Sequence, residues 1–155
     1  MPALSRGLQK ADRDRADFQV SCPVFIVTGA NEAQFDAAAA ATRKQLAFYG
    51  STPAYRRVLD LHGWGDLHEE LHRRSRLGDW DGMGALIDDE VLGAFAVVAP
   101  LEQLADALWT RCDGVIDRVL PAFPAGLSEE DVGAVLADVK ARSNALGHNA
   151  FSSQT

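Results

Sequence analysis

The sequence predicts an α/β fold that is rich in helices and holds about two parallel strands. Residues 18–29, FQVSCPVFIVTG, form an apolar, β-branched run that ends at a glycine, and residues 114–123, GVIDRVLPAF, form a second such run. The continuous apolar character of the first run is typical of a strand that is covered on both faces. Helical patterns with capping residues lie between the two runs and after them.

The first predicted strand leads directly into a helix. Asn31 is a favoured N-cap residue, and the alanine-rich stretch that follows predicts a long helix to about Gly50. Strand, tight turn and helix make half of a βαβ unit. Pro23 lies inside the strand, where it removes one ladder donor and indicates an edge position or a bulge.

Several further helices separate the two predicted strands. Helix starts are predicted at Pro53, Asp66, Asp79 and Pro100, and Ser128 caps a last amphipathic helix. Two strands cannot form a stable sheet alone, because their faces and edges need cover. The chain is therefore either mainly a helical bundle or a piece of a larger fold.

Composition and charge restrict the function classes. The chain has 155 residues, of which 47% are hydrophobic and 24% charged, as in an ordinary globular domain. Its net charge of −7 argues against nucleic acid and anionic membranes as partners, because both require basic patches. No apolar run is long enough to span a bilayer. With two cysteines only, Cys22 and Cys112, and no visible signal peptide, we expect a cytoplasmic protein with reduced thiols.

Residues 68–72 read HEELH, the pattern with which zinc peptidases hold their metal. On a helix, His68 and His72 share one face, and Glu69 could polarise a zinc-bound water. The usual third ligand is missing, because Ser75 and Gly78 stand where the family glycine and histidine would be. Charged residues also surround the segment. We therefore expect an exposed helical face and no metal, with a zinc hydrolase as a distant alternative.

Four stretches of the sequence carry a family resemblance. They are VSCPVFIVTG, RKQLAFYGSTPAYRRVLDLHGWGDL, GDWDGMGALIDDEVLGAFAVV and GVIDRVLPAFP. Together they resemble the C-terminal half of the luciferase-like monooxygenase superfamily, most closely the actinobacterial oxidoreductases that use the deazaflavin coenzyme F420. The likeness covers roughly residues 2–124 and is most specific in AFYGSTPAYRRVLDLHGWGDL.

The resemblance implies a fold larger than this chain. Members of that superfamily are (β/α)₈ TIM barrels, so residues 1–124 would be the C-terminal part of a barrel that holds strands seven and eight. Residues 125–147 would form a terminal helix, and residues 148–155 a frayed tail. Such a piece would be inactive alone and would need the missing N-terminal half, or a homo-oligomer, as its partner.

The resemblance also implies an activity. The parent would be an oxidoreductase or monooxygenase that transfers hydride between F420, or alternatively the flavin FMN, and a small organic substrate. The alternative from another class is a helical interaction or regulatory remnant that needs a partner chain. No catalytic residue is assigned.

Candidate site residues follow from the barrel rule that sites form at the C-terminal ends of strands. On the resemblance, Thr28, Gly29 and Ala30 at the end of strand seven, and Phe123 at the end of strand eight, would contact the cofactor. Each has a structural alternative: Gly29 is what a tight strand-to-helix turn needs, and Phe123 is core.

A second set of candidates lies in the long helical excursion between the strands. Tyr55, His62 and Trp64 would cover the substrate as a lid, or alternatively pin helices together. Relatives commonly read V-V-G-T-P-E-E before the penultimate helix, whereas residues 97–102 of this sequence read VVAPLE. The absent glycine puts a backbone contact to a cofactor phosphate there in doubt.

Overall fold

The structure, a computed structural model that describes residues 2–145, contains a small parallel sheet. Its strands are β1 (Ser21–Val27), β2 (Ala96–Val98) and β3 (Arg118–Ala122), in the order β2-β1-β3. The prediction of a helix-rich α/β fold is confirmed. The predicted tail at residues 148–155 lies outside the described residues, as does the end of the predicted helix 125–147.

Helices make up most of the described chain. They are α1 (Pro2–Lys10), α2 (Glu32–Ser51), α3 (Arg56–Leu61), α4 (Gly65–Leu77), α5 (Trp80–Gly84), α6 (Asp89–Phe95), α7 (Leu104–Cys112) and α8 (Glu129–Ala145). The predicted caps Asn31 and Ser128 are confirmed, since each side chain accepts the backbone N–H three residues on, at 3.0 Å. None of the described helices is long and apolar enough to cross a membrane.

The prediction of two strands is wrong by one, because β2 was not foreseen. This strand has only three residues at the end of a continuous apolar stretch, so it shows no alternation that distinguishes it from the preceding helix. Pairing with β1 creates it: Val97 lies opposite Ile26, and the N–H of Ala99 donates to the carbonyl of Val27 at 3.1 Å.

Pro23 lies in a part of β1 that has one neighbour. β2 pairs only with Phe25 to Val27, whereas β3 pairs along Ser21 to Phe25. At Pro23, β1 is therefore an edge strand, although it is the central strand from Phe25 to Val27. An edge position suits proline, because proline has no backbone N–H to donate to a neighbouring strand.

Both faces of the sheet are covered by helices of this chain. Val24 and Ile26 are buried in a cluster with α7 and α8, whereas Val27 and Ala96 are buried in a second cluster with α2, α4, α5 and α6. Alternate residues of a strand point to opposite faces, so one apolar run supplies both clusters. The sheet of the described residues is therefore covered within the chain, although two predicted strands alone were expected to lack such cover.

The strand order differs from that of a barrel segment. In a barrel that contains all three strands, consecutive strands are neighbours, which would give the order β1-β2-β3 and would make β1 strand six and not the predicted strand seven. Here β1 is central, with its connection to β2 on one face and the connection through α7 to β3 on the other. The loops after β1 and β3 therefore diverge at the carboxyl edge. In open α/β sheets this switch point is where ligands bind.

Candidate functional site at the carboxyl edge of the sheet

Thr28 directly follows β1 at this edge and has an unusual environment. Its side chain is fully buried, and its Oγ1 has no hydrogen-bond partner among the described residues. A buried hydroxyl without a partner costs about 1–3 kcal/mol. Strand alternation directs Thr28 to the same face as Ile26, towards α7 and α8. Buried polar atoms of this kind call for an explanation, and one explanation is a ligand.

Gly29 is required by the first turn of α2. A Cβ atom there would lie 2.4 Å from the backbone nitrogen of Phe35 and 2.8 Å from the carbonyl carbon of Gln34. Both neighbours are helix backbone, which cannot move aside cheaply. The tight strand-to-helix turn is thus sufficient to explain this glycine, and its contact with a ligand stays a prediction.

Gln34 holds the turn together and was missed by the sequence analysis. Its side-chain oxygen accepts the N–H of Ala30 at 3.0 Å, and its Nε2 donates to the carbonyl of Gly126 at 3.3 Å. It therefore ties the loop after β1 to the loop after β3, across the switch point. The spacing Asn31-x-x-Gln34 resembles a capping box and was the signal that could have revealed it.

A cavity of about 500 Å³ opens beside Gly29 and Ala30, between the start of α7 and the first half of α8. Its remaining lining residues are Leu101, Glu102, Ala105, Asp131, Ala134, Val135 and Asp138. Three of these are carboxylic acids, and none is lysine or arginine. The cavity therefore suits a neutral group and opposes a phosphate, because like charges repel in a partly desolvated site.

Phe123 follows β3 on the same edge. It is half-buried and packs against the cluster formed by Val24, α7 and α8. This position supports its structural alternative as a core residue, next to the switch point.

The three predicted lid residues form two separate groups of ring contacts in the helical excursion. His62 stacks on Trp64 with ring centroids 4.6 Å apart, and both rings meet the edge of Phe95, at 5.5 and 6.0 Å. Tyr55 meets Tyr49 edge-on at 5.5 Å. These contacts attach α3 and α4 to α6 and α2.

The ring contacts lie towards the amino end of the strands. Phe95 immediately precedes Ala96, which pairs with Phe25, three residues before Thr28. Three strand residues span roughly 10 Å. The structure thus does not bring Tyr55, His62 and Trp64 together with Thr28, and their role as a lid stays a prediction.

The two histidines of HEELH bind the end of a neighbouring helix. The Nδ1 atom of His68 lies 2.7 Å from the carbonyl oxygen of Gly50, and that of His72 lies 3.0 Å from the carbonyl oxygen of Ser51. Both carbonyls belong to the last turn of α2, where backbone acceptors lack partners within the helix. The shared face predicted for the two imidazoles is confirmed, with carbonyls as their partners.

The expectation of an exposed HEELH helix is wrong for its inner face. His68 is 5% exposed and Leu71 is fully buried, because this face packs against α2. The opposite face of α4 carries the charged residues and is open to solvent. On that face, hydrogen bonds from Arg73 and Arg74 lower the pKa of Glu70 to about 2. Among the described residues no group of three or more His, Cys, Asp or Glu side chains is placed to hold a metal ion.

Comparison with known families identifies the chain. A family model described as luciferase-like monooxygenase matches residues 1–118, which include β1, β2 and the start of β3. The chain belongs to the luciferase-like monooxygenase family. The F420-dependent subgroup that the sequence resembles is a finer assignment than this match makes.

Relatives of this luciferase-like chain occur in mycobacteria. Uncharacterized proteins from Mycobacterium bovis and from two strains of Mycobacterium tuberculosis are each 61% identical over 140 residues. The match covers 90% of this chain and 41% of each relative, so the chain spans about two fifths of their length. No solved structure matches.

Luciferase-like proteins typically use flavin-type cofactors, and the carboxyl edge fits one part of such a group. The cavity beside Gly29 could accept a neutral ring edge, and the unpartnered hydroxyl of Thr28, the residue before Gly29, is fully buried outside the lining of that cavity. The phosphate part does not fit the described lining, whose charged members are all acidic. A basic partner for a phosphate would have to come from elsewhere in the luciferase-like protein.

Proposed function

We propose that this chain is the C-terminal portion of an oxidoreductase of the luciferase-like class. The whole protein would transfer hydride between a deazaflavin, coenzyme F420, or alternatively FMN, and a small organic substrate. Family membership over residues 1–118 carries the proposal. The chemistry belongs to the cofactor, and this chain would contribute binding and orientation.

The carboxyl edge of the sheet is the proposed cofactor contact. Thr28 would give its hydroxyl hydrogen bond to a polar ring atom, Gly29 and Ala30 would let the ring approach the backbone, and Phe123 would support the wall behind it. Barrel enzymes build their sites at this same carboxyl end of the strands, so the proposed contact does not depend on the strand order of the isolated chain.

For the whole protein we propose a (β/α)₈ barrel, in which consecutive strands are neighbours. This requires β3 to leave β1 and to pair with the outer edge of β2 when the remaining strands are present. The outer edge of β2 pairs with no described strand, and a groove of about 670 Å³ between β2 and α7 is lined by Ala96, Val97 and Val98, which supports the proposal. Activity would then need the remaining part of the barrel, supplied in trans or by a homo-oligomer.

The test is cofactor binding by the chain alone and by a reconstituted protein. The chain is co-expressed with the part of a Mycobacterium tuberculosis relative that the match leaves uncovered, and binding of F420 and FMN is measured by equilibrium dialysis. We expect binding by the complex only. Thr28→Val should weaken it at least tenfold, whereas Thr42→Val, at a buried threonine within α2, should not.

Two outcomes would overturn the proposal. Binding of neither cofactor by a complex that forms stably would favour the interaction or regulatory remnant. Equal effects of Thr28→Val and Thr42→Val would remove the carboxyl edge from the cofactor site.

A further inference from the structure

We propose a second ligand site in this chain, for an uncharged aromatic molecule of about two fused rings. This site is separate from the proposed cofactor contact and lies nearer the amino end of β1. The site is a cavity of about 370 Å³ between the first half of β1, the end of α2, and helices α3, α4 and α6. Its lining residues are Pro23, Phe25, Leu46, Tyr49, Gly50, Tyr55, Val58, Leu59, Leu71, Ile87, Val91 and Phe95.

The volume indicates the size of the ligand. An apolar protein cavity of about 150 Å³ stays dry and binds one benzene. The present cavity has about two and a half times that volume and falls within the range of small-molecule pockets, ~300–1,000 Å³. Two fused rings, or an aliphatic group of equal size, would fill it.

The chemistry of the walls indicates an uncharged ligand. All of the lining side chains are apolar or aromatic, and none carries a charge. The carbonyl of Gly50 is already bonded to His68. Among the lining side chains, the polar atoms are the hydroxyls of Tyr49 and Tyr55. A charged ligand would lose its hydration without gaining a partner.

A row of aromatic ring contacts ends at the cavity, where Tyr49 and Phe25 belong to the lining and Phe48 and Trp80 do not. Ring centroids are 6.4 Å apart for Trp80 and Phe48, 5.8 Å for Phe48 and Tyr49, and 6.2 Å for Tyr49 and Phe25. Phe48, Trp80 and Tyr55 are all about half exposed. Because aromatic rings prefer offset or edge-on neighbours at these distances, a flat ligand fits better than a branched one.

The cavity differs from the carboxyl edge in position and in character. Its strand residues are Pro23 and Phe25, on the amino side of Thr28, whereas the acidic cavity lies beside Gly29 and Ala30. The ligand would enter beside Tyr55 and Val58, which are 45% and 39% exposed. A single polar substituent, such as a hydroxyl, would remain at this mouth near the Tyr55 hydroxyl.

The test titrates the purified chain with 2-naphthol and, separately, with 2-naphthalenesulfonate. Binding is followed by isothermal titration calorimetry, and sedimentation velocity is run on the same samples. Val58→Trp places a large ring in the mouth of the cavity, and Leu61→Trp makes the same change on the same helix, at a residue that is 85% exposed and outside the lining. Circular dichroism checks that both variants fold.

We expect saturable 2-naphthol binding that Val58→Trp weakens at least tenfold and Leu61→Trp changes less than twofold. The sulfonate should bind at least tenfold more weakly. Absence of saturable 2-naphthol binding would overturn the proposal, as would equal effects of the two variants. A dimer that Val58→Trp dissociates would also overturn it, because a second copy would then be the occupant. None of these outcomes depends on F420 or FMN binding, so the proposed function is tested separately.

Discussion

His68 Nδ1 lies 2.7 Å from the carbonyl oxygen of Gly50, in the last turn of α2. Helix ends leave up to four carbonyls without partners, and here an imidazole from α4 supplies one partner from outside the helix. His72 repeats the contact one residue further on, with Ser51. A pair of histidines that looks like a metal site in the sequence therefore joins two helices.

We expect His68→Ala to lower the free energy of unfolding by about 2–4 kcal/mol, because it leaves a cavity and an unsatisfied carbonyl. His72→Ala should cost about 1 kcal/mol, since that ring is half-buried. Denaturant unfolding measures both. A chelator should leave the unfolding midpoint of the wild type unchanged. A chelator-dependent midpoint that is lost in His68→Ala would instead restore the zinc hydrolase.

We expect Thr28→Val to raise the free energy of unfolding by about 1 kcal/mol. The substitution keeps the shape of the side chain and removes a buried hydroxyl that has no partner among the described residues. A gain in stability together with a loss of cofactor binding in the reconstituted protein would be the signature of a residue kept for function. Destabilisation by 1 kcal/mol or more would show that the hydroxyl is bonded within the fold.

Local patterns in the sequence predicted much of this fold. Asn31 and Ser128 predict helix starts, because their side chains form short-range capping hydrogen bonds. The run from Val24 to Val27 predicts a buried strand through its apolar, β-branched composition. The strand order could not be predicted, because it depends on which edge of β1 each partner occupies. β2 was missed for the same reason: three residues become a strand only through their pairing.

The turn that carries the candidate site residues was predicted from the sequence, whereas its surroundings were not. The turn at Thr28 follows from the end of an apolar run, but the lone hydroxyl and the acidic cavity depend on α7 and α8, which are distant in sequence. Tyr55, His62 and Trp64 were grouped because they are close in the chain. The structure separates them into contacts with Tyr49 and with Phe95.

Asp117 should make the stability of the chain depend on pH in the acid range. Burial of the Asp117 carboxyl raises its pKa, but hydrogen bonds from the Val20 N–H and from Arg15, with the charge of Arg15, outweigh this and leave the pKa below its ordinary value of 3.8. The lowered pKa means that the ionised carboxyl stabilises the fold above pH 3.8, and that this contribution is lost as pH falls through the folded-state value.

Asp117→Asn should therefore cost roughly 0.5–1 kcal/mol at pH 7, a value discounted for the partial exposure of the pair. The difference from the wild type should begin to shrink as pH falls below 3.8, where the unfolded chain takes up the proton, and should vanish below the folded-state pKa. Urea unfolding at several pH values measures this difference in the free energy of unfolding. A difference that stays constant down to pH 2 would show that the carboxylate charge does not contribute.

The last prediction tests the strand order of the isolated chain. Cys22 of β1 lies opposite Val119 of β3, and paired strand residues bring their Cα atoms within disulfide range.

In a Cys112→Ser background, Val119→Cys should form an intramolecular disulfide with Cys22 under mild oxidation. The same change at the next residue, Leu120→Cys, should not, because its side chain points to the other face. Mass spectrometry of proteolytic peptides identifies the bond. Failure of Val119→Cys to cross-link would show that β3 does not pair with β1 in solution, and the arrangement of a barrel segment would regain its place for the chain alone.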